Sequence, residues 1–147
     1  MTSEMGITHD FNDVNGPVPA RQHKNGGGWV ALTADVDDSA YVAPDAKVYG
    51  NAKVYGNAQV YGNAKVYGNA KVYGDAWVCG NVWVAGNAWV YGKARVFGNV
   101  WVAGDARIYG GANVYGNAQV YGNAKVYGDA RISGDARVSS HAKEATP

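Results

Sequence analysis

The chain has 147 residues, and 13 lysines and arginines nearly cancel 12 aspartates and glutamates to leave a formal charge of +1. That length gives one domain, and that balance points to neither a dedicated nucleic-acid binder nor an acidic tail. Cys79 is the only cysteine, so an intrachain disulfide is excluded and a reducing compartment fits.

The chain opens MTSEMGITHDFNDV, which lacks the basic n-region and apolar h-region of a secretory signal. No stretch approaches the roughly 18 apolar residues of a membrane helix. A soluble protein of the cytoplasm is expected, with no membrane partner and with residues 1–27 forming an N-terminal cap. The cap holds His9 and His23, expected as solvent-exposed side chains. Next comes Asn25-Gly26-Gly27-Gly28. It lacks the Lys-Ser/Thr of a phosphate loop and reads as a tight turn.

From residue 28 the chain repeats. One loose hexad, Gly28 to Thr33, precedes eighteen uninterrupted hexads from Ala34 to His141, each small–variable–aliphatic–variable–Gly–Asn/Asp. The composition carries the same signature, with 21 Gly, 11 Tyr and 5 Trp. Six is a multiple of two, so an extended strand keeps its faces in every repeat: Ala and Val turn one way, Lys/Arg/Gln/Trp and Tyr the other. A helix fails, because a six-residue period walks around its axis and each interior glycine costs about 1 kcal/mol. An antiparallel meander fails too. A Gly-Asn hairpin would set Val48 opposite Lys53 and leave neither face fit for burial. Parallel stacking keeps valine on valine, so the chain coils, with a bend at each Gly-Asn and about four extended residues between bends.

The coil length follows from the exceptions to the consensus. The stretch NVWVAG occurs at 81–86 and again at 99–104, three hexads apart. At the same interval Trp77 is followed by Arg95 and Trp89 by Arg107, pairs suited to cation–π stacking. The predicted architecture is therefore an all-β triangular solenoid with 18 residues per coil, about six coils and a rod roughly 30 Å long. Residues 28–141 form the β-helix and 142–147 a C-terminal tail. Asp45, Asn63, Asn81, Asn99, Asn117 and Asp135 share one corner and should stack as an amide ladder ended by carboxylates.

The A-x-V-x-G-N run, three per turn, resembles the hexapeptide-repeat family, the single-stranded left-handed parallel β-helix. The lead-in His23-Lys24-Asn25-Gly26-Gly27-Gly28-Trp29-Val30 looks like the opening of a subgroup of small bacterial and phage proteins of that kind. The resemblance implies the left hand, and it implies rods packed side by side, with a trimer favoured. It also raises acyl transfer from an acyl-coenzyme A, since enzymes of this family use a histidine base beside a loop thrown out from the helix. Here no loop leaves the hexads. His23 and His141 are the only weak catalytic candidates, and the three converging histidines of the family's zinc enzymes are missing. No metal and no cofactor is expected.

Departures from NAKVYG crowd into residues 76–111, the middle of the rod. Trp77, Trp83, Trp89, Trp101, Arg95, Arg107 and Phe97 lie there, and Ala85 and Ala103 replace tyrosine. Three outward faces result. The first carries the Tyr55–Tyr127 ladder beside Lys53, Lys71, Trp89, Arg107 and Lys125. The second carries Tyr61, Cys79, Phe97 and Tyr115. The third carries Trp83 and Trp101 beside a flat floor of Ala85 and Ala103. An exposed apolar patch of this kind marks an interface. The expected function is a non-catalytic structural or binding rod that self-associates through this belt, with another protein or a carbohydrate as other partners. The alternatives are a hexapeptide-type acyltransferase and, less favoured, polyanion or nucleic-acid binding through the Lys/Tyr face.

Overall fold

The computed structural model describes residues 7–13 and 15–139. Bends come first, because they set everything else. From Gly50 to Gly134 the fifth residue of each hexad sits at φ between 62° and 90°, in every case a glycine. That conformation costs side-chain-bearing residues energy and glycine nothing. Between bends run eighteen two-residue strands, β4 (Asp35–Val36) to β21 (Arg137–Val138), one per hexad. They are shorter than the four-residue strands expected. Hydrogen bonding nevertheless continues past them, from Tyr49 N–H to the Val66 carbonyl and from Asn51 N–H to the Gly68 carbonyl.

Each strand pairs in parallel with the strand 18 residues away. Trp83 lies between Lys65 and Trp101, and Val84 between Val66 and Val102. The result is three parallel sheets, one on each face of a solenoid of about six turns. Alanine and valine or isoleucine at the inward positions are fully buried from Ala40 to Ala130 and form one continuous core. At about 25 cal/mol per Å² such small side chains give a thin core, and the ladder of backbone bonds supports it. At the corners the amide ladder forms. Asn63 donates to Asn81, Asn81 to Asn99, Asn99 to Asn117 and Asn117 to Asp135, at 3.1–3.4 Å. A second run goes from Asn69 to Asn87 to Asp105.

The third face is longer than the others because the cap extends its sheet. β1 (Thr8–Asp10) pairs antiparallel with β2 (Pro17–Gln22), which pairs antiparallel with β3 (Trp29–Ala31). β3 then begins the parallel stack. Phe11, Ala20, Ala31 and Tyr49 make a separate buried cluster under this hairpin. Tyr49, outward by its register, is thus covered. His23 is also buried, at 3% exposure, with Nε2 2.8 Å from the Ala40 carbonyl. With a carbonyl as acceptor, Nε2 carries the proton. The His9 ring stacks on Trp29 at 4.5 Å and meets Phe11 edge-on at 4.7 Å. Its Nε2 is enclosed, with no hydrogen-bond partner among the described residues. Both rings therefore depart from the solvent-exposed placement expected of them: His9 packs with Phe11 and Trp29 over the outward side of the first coil, and His23 is held against the Ala40 carbonyl. Burial, reinforced by the charge of Lys47, holds His9 below the usual histidine range, with Asp10 opposing.

Burial, then Tyr67 and Asp13, pushes the Tyr49 phenol up to about 12. A raised phenol pKa means that the folded state binds a proton the unfolded chain has released. Stability is therefore intact below about pH 10 and is lost as the pH rises toward 12, by up to roughly 2–3 kcal/mol. Denaturant titrations at pH 9 and pH 12 should show that loss, and a Tyr49→Phe variant should lose less.

Candidate functional site

The belt is assembled by the 18-residue register, which puts each departure from consensus directly over another. The Arg95 guanidinium lies 4.6 Å from the Trp77 ring centre. Trp89 is held between the Lys71 ammonium at 5.1 Å and the Arg107 guanidinium at 4.6 Å. Trp83 has the Lys65 ammonium on one side at 5.3 Å and the Trp101 ring on the other at 5.2 Å, with the two indoles within 5° of parallel. Both arginine–tryptophan pairs were legible from spacing. Lys65 and Lys71 obey the same interval from the other direction, so that spacing was the signal that could have found them.

Trp101 is the exception. No cation lies over its ring among the described residues, its neighbour in the next coil is Gln119, and it is 51% exposed. Beside it Ala85 and Ala103 interrupt a column that carries Tyr49, Tyr67 and Tyr121. The outcome is a shallow apolar dent lined by Tyr67, Trp83, Ala85, Trp101 and Ala103. Tyr121, 40% exposed, follows Ala103 in the same column. On the second face Trp77 and Phe97 are each 37% exposed, and Phe97 stacks on Tyr115 at 5.1 Å.

Away from the belt the aromatics are spent on one another. Tyr55, Tyr73, Tyr91, Tyr109 and Tyr127 stack at 4.9–5.3 Å with planes within 8° of parallel. Parallel rings touch at about 3.5 Å, so this spacing means offset, overlapping rings of the favourable kind. Burial first, then the neighbouring phenols, raises Tyr73 and Tyr91, and Arg107 works against both. Burial also raises Tyr61, followed by the neighbouring Cys79 thiol, with Arg95 opposing.

The histidine candidates do not converge. His23 is committed to the Ala40 carbonyl inside the cap, and His141 lies outside the described residues. Among the described residues no group of three His, Cys, Asp or Glu side chains comes together as a metal site.

The chain matches the family model of the YdcK beta solenoid repeat at residues 46–62, 58–74, 64–80, 118–131 and 124–141. The matched windows lie on both flanks and leave out 81–117, where Trp83, Trp89, Phe97 and Trp101 fall. No curated protein and no solved structure matches the chain.

Proposed function

We propose that the chain is a non-catalytic, hexapeptide-type structural rod, left-handed and cytoplasmic, that associates with copies of itself through the third face. One observation carries this: Trp101 stands half in solvent, without the cation that lies over Trp77, Trp83 and Trp89. An uncovered indole beside an alanine floor is an anchor of the type that dominates protein interfaces. The burial and hydrogen bond of His23 support a structural role for it, and nothing comparable supports the acyltransferase reading.

Light scattering on wild type and on Trp83→Ser/Trp101→Ser tests the proposal. Wild type should have a multiple of the 15.5 kDa chain mass, and the double variant the mass of one chain. Two proteins that both run as single chains at every concentration up to millimolar would remove self-association and assign the patch to another ligand.

A further inference from the structure

The tripeptide Trp-Val-Ala occurs three times, at 29–31, 83–85 and 101–103. All three lie in the same sheet, on the same two outward columns. In each, the alanine leaves a gap in a column whose other members include Tyr49, Tyr67 and Tyr121. The molecule itself shows what fills such a gap. Above Ala31 the Phe11 ring from the cap stacks on Tyr49 at 4.7 Å, close to the 5.0 Å of Tyr49 on Tyr67, and Ala31 is left 1% exposed. An aromatic ring from outside the column replaces the missing tyrosine. Nothing described fills the gaps at Ala85 and Ala103, which are partly exposed.

We infer that the ring filling them is the tryptophan of a second copy, and that the two rods lie parallel and in register about a two-fold axis running along the rods. This rests on the self-association proposed above. The geometry decides between arrangements. A two-fold axis along the rod keeps each rung at its own height and exchanges the two columns. Trp83 then faces Ala85 of the second copy, Trp101 faces Ala103, Lys65 faces Tyr67 and Gln119 faces Tyr121, each reciprocally. The two tryptophan rungs each meet an alanine, and no cation meets a cation. An antiparallel pair centred on the tryptophans does worse. It sets Trp83 against Trp101, leaves Ala85 facing Ala103 across a void, and opposes Lys47 to Arg137. A threefold ring brings together unlike patches and gives up the reciprocal fit, so two rods are favoured over three.

The cap covers Tyr49, so the contact runs from the Lys65 rung to the Arg137 rung. Five rungs at about 4.8 Å by four extended residues at about 3.3 Å give a strip of roughly 24 by 13 Å. That is small for a stable complex, so association belongs in the micromolar range or weaker. Sedimentation equilibrium should therefore be run from micromolar to millimolar protein. The expected result is a concentration-dependent two-chain mass, with Ala103→Arg weakening association more than about 30-fold while the circular dichroism spectrum is unchanged. Orientation is read in a Cys79→Ser background with a short bismaleimide. A mixture of Gln119→Cys and Tyr121→Cys chains should cross-link, and a mixture of Gln119→Cys and Lys65→Cys chains should not. Cross-linking of the second mixture, or a three-chain mass, would overturn the parallel pair while leaving self-association standing. A single-chain mass at every concentration would overturn both.

Discussion

Gly62→Ala should destabilise the rod by about 3–5 kcal/mol, and Gly134→Ala by only about 1–2 kcal/mol. Both glycines sit in the left-handed region, at 68° and 65°. Both substitutions therefore incur the same conformational strain. They differ in what an added methyl would meet. At Gly62 it would stand 2.7 Å from the Gly80 nitrogen and 3.1 Å from its Cα. That is backbone of the next coil and cannot swing aside. At Gly134, in the last described coil, nothing among the described residues lies within 4 Å. Urea unfolding followed by circular dichroism compares the two directly. Equal losses would mean that corner glycines are required for bending alone, and that coil-to-coil contact at the corner is not a constraint.

Val60→Asp is expected to abolish the native rod or to lower its stability by more than about 4 kcal/mol, while Gln59→Asp should cost less than about 1 kcal/mol. The two positions are adjacent, yet Val60 is fully buried between Val42 and Val78, and Gln59 faces outward between Tyr41 and Trp77. A carboxylate at 60 would be sealed among alanine and valine methyl groups with no donor in reach. Each coil touches only its neighbours, so the damage cannot be spread over a larger core. Thermal melts of both variants check this. Similar melting temperatures would contradict the assignment of inward and outward faces.

Those faces were readable because the repeat is its own alignment. In a solenoid the neighbours of a residue lie 18 positions away on either side. Trp83 over Trp101, Arg95 over Trp77 and the Asn63–Asn117 column were therefore present in the spacing before any coordinate. The cap offered no such index. Phe11, His9 and His23 belong to no hexad, and which carbonyl or ring each would meet depends on how one hairpin folds back over the first coil. The burial of Phe11 and His23 and the partial burial of His9 were thus missed. Strand length was misjudged for a different reason. The apolar pattern marks which residues point inward, and two of those per hexad with the outward residue after each span four residues, but the bend at glycine takes up part of that span. The uncovered state of Trp101 was half legible. Its substitution for lysine was plain, but the lack of a cation above it depends on Gln119 being neutral, a detail of the flank rather than of the belt.

The amide columns have a further consequence for how the protein ages. Every bond in them runs the same way, each asparagine handing its hydrogen to the oxygen of the one above. A carboxylate can receive in such a relay and cannot pass anything on. Asp135 and Asp105 accordingly stand at the receiving ends, and Asp45, below Asn63, makes no bond to it among the described residues. Slow deamidation of Asn99 would convert a middle link into a terminus. One four-bond column would become two shorter ones, with new negative charge beside the tryptophan belt, and a chemical clock would be written into the corner of the rod.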